Sequence, residues 1–215
     1  VESTTEDHQS IIYRHKAADL FLSKEDVIQA KIENYDCILI TGTSLAAEPS
    51  RTATLYAIEI AKQNNIPVII DIDYRPYTWE SADKATEIYN LAVSNCSAVI
   101  GNDDEFAVLA KDYQKGLSHA KMLSKKLDLI IYKRGEKGSV FFYENKEINK
   151  GIFPVKPLKT NGEGDAFMGD LIGSLLQNDD INKSIKKGYE AAAIVGKKVS
   201  GGQAHKNIEI SIQFI

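Results

Sequence analysis

Short apolar runs alternate with longer amphipathic stretches along most of the chain, and this alternation restricts the possible folds more than any other feature. The runs have the length of strands and are nearly continuously apolar, which predicts burial on both faces. Strand–helix–strand order predicts right-handed crossovers and a largely parallel sheet covered by helices. The predicted strands are 36–41, 67–71, 97–100 and 128–133, and the predicted helices are 49–64, 82–94, 103–111 and 117–125.

The pattern changes after residue 133. Runs at 138–143 and 147–153, joined by residues 144–146, predict a hairpin at the antiparallel edge of the sheet. Two helices, 164–176 and 181–198, are predicted to follow. The sequence shows no internal repeat and no low-complexity linker. We therefore predict an α/β fold, in one domain over residues 1–215.

Composition excludes several classes of function. The 215 residues carry a net charge of −4, with a pI near 5.6, whereas a nucleic-acid-binding surface is normally basic. Every apolar run is shorter than the roughly 20 residues that span a bilayer. Cys37 and Cys96 are the only cysteines and form no CxxC pair, which fits a reducing cytoplasm and two small core side chains. We expect no nucleic-acid partner, no membrane partner and a cytoplasmic location.

Polar and glycine-rich clusters follow the predicted strands or precede the predicted helices. In open α/β sheets, ligands bind outside the carboxyl ends of the strands. The strands are defined by their apolar runs alone, so the position of the clusters at strand ends is independent support for a ligand site there. The clusters are residues 42–44, 71–75, 102–105, 133–138 and 162–165.

The strongest cluster is Gly162-Glu163-Gly164-Asp165 at the start of a predicted helix. Its glycines permit close approach of the backbone to a ligand, and a helix N-terminus offers unpaired N–H groups to phosphate. Asp165 is placed to accept a proton from a hydroxyl nucleophile. An ordinary glycine turn with Asp165 as the helix cap explains the same residues equally well.

Two further clusters allow both a functional and a structural interpretation. Asn102 and Glu105 supply oxygen atoms that suit a hydrated Mg²⁺, but an acidic first turn is also typical of a helix start. Arg75 precedes Pro76 and lies in an extended or turn segment. Its guanidinium suits a carboxylate or a phosphate, and a surface ion pair is about as plausible from the sequence.

Gly162 to Asp165 resembles the second signature of the ribokinase-like (PfkB) carbohydrate kinases, whose usual form is Gly-Ala-Gly-Asp. Other motifs of that family match in chain order. Asn102-x-x-Glu105 resembles its magnesium and phosphate motif, and residues 133–138 resemble its nucleotide-side K-x-G-x-x-G motif. The stretch D-x-D-Y-R-P-Y-T-W at 71–79 and the Tyr-Arg pair at 13–14 are similar to the members that phosphorylate keto-deoxy sugar acids.

The resemblance implies a ribokinase-like three-layer fold and an ATP-dependent sugar-acid kinase that uses Mg²⁺. It implies that Asp165 is the catalytic base, with an anion hole at Gly162, Glu163 and Gly164. The other implied residues are Tyr13, Arg14 and Arg75 for the sugar acid; Asp73, Lys133, Gly135 and Gly138 for ATP; and Asn102 and Glu105 for magnesium, held through water.

The resemblance runs from about residue 11 to about residue 202 and matches only the later part of the family's length. We expect the chain to lack the family's first βαβ unit and its lid, and any homodimer to form through that lid. Two alternatives follow. The resemblance implies 5-dehydro-2-deoxy-D-gluconate as the substrate, and the first alternative is 2-keto-3-deoxygluconate. The second is that the chain is a catalytically impaired nucleotide-binding fragment, which Glu163 in the anion hole would favour.

Overall fold

A computed structural model of the chain describes residues 16–151 and 162–196. These residues fall into two compact units, a sheet unit in the first range and a helical pair in the second. The expectation of one domain over residues 1–215 stays a prediction.

Six strands of the sheet unit form one mixed sheet in chain order. The first four strands are parallel, and the last two run antiparallel to their neighbours. The predicted parallel sheet with an antiparallel edge hairpin is therefore confirmed. The strands are β1 (Ile38–Thr41), β2 (Val68–Asp71), β3 (Ala98–Asn102), β4 (Leu129–Lys133), β5 (Ser139–Tyr143) and β6 (Lys146–Lys150).

The α-helices of residues 16–151 precede or connect these strands. Ala53, Ala57 and Ala61 lie four residues apart on one helix and are fully buried, so the helix presents a flat stripe of small side chains to the core. The helices are α1 (Lys24–Ala30), α2 (Ser50–Gln63), α3 (Ala82–Val93), α4 (Asp103–Ala110) and α5 (Gly116–Leu123).

The four parallel strands are buried on both faces, as their continuous apolar runs predict, whereas β6 is mostly exposed. Ile40 and Ile70 belong to the main hydrophobic core and have no exposed surface. Leu39 and Ile69 are their neighbours along the strands, so they point to the opposite face, and they are also buried. Complete burial of an isoleucine side chain stabilises the fold by about 1.5–3 kcal/mol.

The two cysteines differ in their surroundings. Cys96 is buried, its thiol donates to the carbonyl oxygen of Ala92 at 3.2 Å, and burial raises its pKa to about 12. Cys37 is only partly buried, because it precedes the edge strand β1. The expectation of two core thiols is therefore wrong for Cys37.

The hairpin between β5 and β6 turns through Glu144 and Asn145. Both residues have positive φ angles, 49° and 60°, as a two-residue turn that matches strand twist requires. Tyr143 pairs with Lys146, so the turn is one residue shorter than predicted and β6 begins at Lys146. The predicted end of this strand, at residues 152–153, lies outside the described residues.

The second unit consists of α6 (Glu163–Leu176) and α7 (Ile181–Gly196). The two helices approach closely at Gly188, where a Cβ atom would lie 2.8 Å from the carbonyl oxygen of Phe167. Asp179, in the connection, accepts hydrogen bonds from Ser174, Lys183 and Lys187, and these bonds hold its pKa well below its usual range. Within the described ranges, no helix is both long and apolar enough to cross a membrane.

Candidate functional site

The four parallel strands end in polar residues at one edge of the sheet. Thr41 ends β1, Asp71 ends β2, Asn102 ends β3 and Lys133 ends β4. The strand register sets Thr41 beside Asp71 and Asn102 beside Lys133. Because open α/β sheets bind ligands at this edge, it is the candidate ligand site of the sheet unit.

A group of charged side chains lies at this edge, and we call it the carboxyl-edge cluster: Asp71, Asp73, Arg75, Glu105 and Lys133. Lys133 Nζ lies 3.8 Å from Asp71 Oδ1, although β3 separates their strands. The Asp71 side chain is 16% exposed. The sequence singled out segment 71–75 without giving Asp71 a role, and its position directly after a buried run was the available signal.

The loop after β2 carries an ion pair. Arg75 Nη2 lies 2.5 Å from Asp73 Oδ1, and the Thr41 hydroxyl donates to Asp73 Oδ2 at 3.4 Å. Asp73 has a φ of 37°, which is uncommon outside glycine. The Arg75 side chain is 44% exposed. The structure thus shows the ion pair, and the exposed guanidinium leaves the predicted contact with an anionic ligand available.

Two threonine hydroxyl groups extend this polar edge. The Thr41 and Thr43 Oγ1 atoms are 3.1 Å apart, and the Thr43 side chain is buried. The Ser44 hydroxyl donates to the Thr41 carbonyl oxygen at 2.7 Å and holds the turn after β1. The sequence marked 42–44 as a strand-end cluster but assigned it no ligand.

Asn102 and Glu105 form a reciprocal cap at the start of α4. Asn102 Oδ1 accepts from the Glu105 N–H at 2.9 Å, and Glu105 Oε2 accepts from the Asn102 N–H at 2.7 Å. Each of these contacts satisfies a backbone donor that the helix itself leaves unpaired. The structure therefore shows the structural role of the pair, and its predicted role in binding magnesium stays a prediction.

Glu105 is also the most unusual acid of the carboxyl-edge cluster. It is only 5% exposed, and burial raises the pKa of its carboxyl group to about 7. The negative charges of Asp71 and Asp73 act in the same direction, while Lys133 and the Asn102 N–H oppose them. Glu105 therefore changes charge near neutral pH.

This burial makes the free energy of unfolding depend on pH. The folded pKa lies above the ordinary value of 4.5, so the folded state binds more protons between pH 4.5 and 7. Stability attributable to Glu105 is fully present below pH 4.5 and is lost as pH rises through 7, by on the order of 3 kcal/mol. Glu105→Gln should abolish this loss and should be less stable than the wild type at pH 5, because one backbone N–H loses its acceptor.

Urea denaturation at pH 5 and pH 8 in metal-free buffer measures the effect. The matched control is Asp104→Asn on the same helix, where the side chain is exposed. The control should keep the wild-type difference between the two pH values. An equal difference in Glu105→Gln and the wild type would show that Glu105 is not the titrating group.

The turn between β4 and β5 contains the predicted nucleotide-side residues. Gly135 and Gly138 have positive φ angles of 53° and 77°, and the Arg134 N–H donates to the Gly138 carbonyl oxygen at 2.8 Å. A Cβ atom on Gly138 would lie 2.0 Å from the carbonyl oxygen of Lys150. The turn therefore requires glycine at residue 138 for both its backbone angles and its contacts.

In the second unit, the N-terminus of α6 carries the predicted anion hole. Gly162 is the N-cap residue, with a φ of 86° and no side-chain cap, and the helix begins at Glu163. Gly164 and Asp165 are exposed in the first turn. The cap position belongs to Gly162, which argues against Asp165 as an ordinary helix cap. Glu163 is partly exposed, and burial raises the pKa of its carboxyl group.

The structure brings Asp73, Arg75, Asn102, Glu105 and Lys133 to one edge of the sheet unit, while Gly162 to Asp165 lie in the second unit. Tyr13 and Arg14 lie outside the described residues. Within the described parts of the chain, no group of three or more His, Cys, Asp or Glu side chains could hold a metal ion. The oxygen atoms of Asn102 and Glu105 nevertheless suit Mg²⁺ held through water, since this ion retains several water ligands.

Comparison with curated proteins finds relatives that share one name. The chain is 34% identical to the 5-dehydro-2-deoxygluconokinase of Bacillus subtilis over 210 residues, 95% of this chain and 64% of that protein. It is 36% identical to the protein of the same name from Photobacterium profundum over 211 residues, again 95% of this chain and 64% of that protein. The chain thus spans less than two thirds of the length of these relatives.

Solved structures share the fold. A crystal structure of fructokinase from Vibrio cholerae O395, with fructose, ADP and calcium ion bound, superposes with a TM-score of 0.74 at 24% identity, covering 87% of this chain and 62% of that one. A PfkB protein from Polaromonas sp. JS666 gives 0.77 at 19% identity, covering 92% and 66%. The sequence profile of the pfkB family carbohydrate kinases matches residues 1–207. The chain therefore belongs to the pfkB family of carbohydrate kinases.

Proposed function

We propose that this chain is part of an ATP-dependent sugar-acid kinase that transfers the γ-phosphoryl group of ATP to the C6 hydroxyl of 5-dehydro-2-deoxy-D-gluconate, a step of inositol catabolism. The observation that carries the proposal is the 34–36% identity to proteins named 5-dehydro-2-deoxygluconokinase over about 95% of this chain. The exposed Asp165 in the first turn of α6 supports the kinase chemistry.

Asp165 would accept the proton of the attacking hydroxyl as its oxygen bonds to phosphorus. The N–H groups around Gly162, Glu163 and Gly164 would stabilise the charge that develops on the transferred phosphoryl group. Such preorganised donors contribute about 3–4 kcal/mol each to transition-state stabilisation. The N-terminus of α6 supports this role of the N–H groups. Its N-cap residue is Gly162, which has no side chain to accept from the first backbone donors of the helix, and these donors have no helical partners.

The carboxyl-edge cluster would orient the substrates. Arg75, together with Tyr13 and Arg14, would bind the carboxylate of the sugar acid. Asp73, Lys133, Gly135 and Gly138 would form the nucleotide side of the site. Bound magnesium would neutralise phosphate charge, held through water by Asn102 and Glu105. The proposal includes a cytoplasmic location. The use of ATP as phosphoryl donor fits that compartment, and so do the two free cysteines.

The test is an ADP-release assay on this chain with ATP, Mg²⁺ and a panel of 5-dehydro-2-deoxy-D-gluconate, 2-keto-3-deoxygluconate and fructose. We expect turnover with the first acid and none with fructose, which lacks the carboxylate. Preferential turnover of 2-keto-3-deoxygluconate would reassign the substrate. ATP binding without turnover of any acid would favour an impaired nucleotide-binding fragment, for which Glu163 in the predicted anion hole is the specific observation.

Arg75→Lys should weaken binding of the acid although it keeps the charge. The planar guanidinium can contact Asp73 and a substrate carboxylate together, whereas an ammonium group offers no such fixed fork. We expect the KM for the sugar acid to rise about tenfold, or about 1.4 kcal/mol, with the KM for ATP unchanged. Equal KM values for the acid in both proteins would remove Arg75 from the substrate site. Lys84→Arg, in the first turn of α3 where Lys84 pairs with Glu87, is the control for a charge-preserving exchange.

A further inference from the structure

Glu105 has a second structural connection beyond the cap of α4. Its Oε1 atom accepts from the Tyr74 N–H at 3.2 Å, while Oε2 accepts from the Asn102 N–H at 2.7 Å. Both carboxylate oxygens therefore bond to backbone donors, and the donors belong to different segments. One donor lies in the loop after β2, and the other lies at the junction of β3 and α4.

The loop after β2 needs such a connection. The Ile72 N–H still donates to the Ile100 carbonyl oxygen at 3.0 Å, but the backbone then forms neither helix nor strand until a short 3₁₀ helix begins at Pro76. Asp73, inside this gap, holds a φ of 37°, a conformation that the surrounding structure must stabilise. Tyr74 is the next residue after Asp73 and precedes Arg75, and its N–H donates the hydrogen bond to Glu105.

Gly101 leaves the space that the carboxylate occupies. A Cβ atom on Gly101 would lie 3.2 Å from Glu105 Oε2 and 3.1 Å from the ring of Phe106. Since Glu105 is buried, its carboxylate is held in place by packing as well as by its two hydrogen bonds. The contact with Tyr74 is therefore a built feature of the fold.

We propose that Glu105 is a positioning residue whose carboxylate fastens the 73–75 loop to the start of α4 and thereby directs the Arg75 guanidinium toward the ligand edge. This role is separate from any part that Glu105 takes in holding magnesium, because it acts through the Tyr74 N–H. The expected effect on binding of the sugar acid rests on the function proposed above. The expected effect on the order of the 73–75 loop is independent of that function.

Amide hydrogen exchange of the metal-free chain, followed by NMR, tests the loop directly. In the wild type, the Tyr74 amide should exchange at least tenfold more slowly than in an unstructured peptide. Glu105→Ala should speed this exchange at least tenfold and leave the Ile72 amide protected. Asn102→Ala is the matched control, because it removes the acceptor of the Glu105 N–H and leaves the Tyr74 N–H its partner. The control should keep Tyr74 within threefold of the wild type.

Kinetics test the consequence for Arg75. At saturating magnesium, Glu105→Gln keeps the side-chain size but only one acceptor oxygen. It should raise the KM for the sugar acid about tenfold and change kcat less than threefold, since a misdirected Arg75 mainly weakens substrate binding. A general structural loss would instead lower the active fraction and kcat with KM unchanged.

Three results would overturn the proposal: a Tyr74 amide that is unprotected in the wild type, equal Tyr74 exchange in Glu105→Ala and the wild type, or a Glu105→Gln variant whose only change is a higher requirement for magnesium. If Glu105→Ala fails to fold, the wild-type protection of Tyr74 and the Glu105→Gln exchange rate decide the question. A wild type that phosphorylates no acid refutes the proposed function, and the exchange data still decide the role of Glu105.

Discussion

Asp165→Asn is expected to lower kcat about a thousandfold, equivalent to about 4 kcal/mol of transition-state stabilisation. The amide is nearly the same size but no longer accepts the proton of the attacking hydroxyl. Asp165 is exposed in the first turn of α6, so the substitution leaves core packing intact. The affinity for ATP should stay within about threefold, because the backbone N–H groups of the helix start are retained.

Single-turnover phosphorylation of the sugar acid, together with equilibrium binding of ATP, measures both effects. Asp170→Asn is the matched control, because it removes a carboxylate from the same helix at a point more than one turn away. Its kcat should stay within threefold of the wild type. An Asp165→Asn variant that retains tens of per cent of wild-type activity would show that another group accepts the proton.

Gly138→Ala is expected to destabilise the sheet unit by about 3 kcal/mol or more. A Cβ atom at this position would lie 2.0 Å from the backbone carbonyl oxygen of Lys150, and the backbone angles of 77° and −146° are largely restricted to glycine. Neither problem is relieved by rotating a side chain, because the clashing atom belongs to the backbone of β6. The turn that is predicted to face the nucleotide would shift with the hairpin.

Two other glycines give a graded comparison for this prediction. Gly135→Ala keeps a positive φ of 53° without any contact near the new Cβ, and should cost about 1 kcal/mol. Gly151→Ala meets no described atom within 4 Å and should stay within about 0.5 kcal/mol of the wild type. Thermal unfolding should rank the three variants in this order, with Gly138→Ala lower in Tm by about 6–12 °C. Equal Tm values for Gly138→Ala and Gly151→Ala would contradict the contact.

The positions of the parallel strands along the chain were predictable because burial on both faces leaves a strong signal in the sequence. The runs that end at Thr41, Asp71 and Lys133 end at these same residues in the structure. The hairpin turn was predicted one residue too long. Glu144 and Asn145 both adopt positive φ angles, but neither is the glycine that would have indicated such angles in the sequence. Two-residue turns of this type are usually marked by glycine.

The sequence was enough to predict which segments form the candidate site, but not which of their side chains contact one another. Glu105 was found through its spacing from Asn102, whereas its hydrogen bond to the Tyr74 N–H joins residues 31 apart in the chain. The approach of Lys133 to Asp71 across β3 likewise depends on strand order and register. Spacing along one helix start is local, and contacts between strand ends follow only once the sheet is assembled.

The most direct test of the proposed kinase activity is ³¹P NMR of a mixture of the chain, ATP, Mg²⁺ and 5-dehydro-2-deoxy-D-gluconate, with the Asp165→Asn variant in a parallel tube. The wild type should produce ADP and a new phosphomonoester resonance that couples to the two C6 protons, in equal amounts, while the variant shows neither on the same timescale. ADP that appears with inorganic phosphate alone, or spectra that are the same with and without the acid, would contradict the proposal.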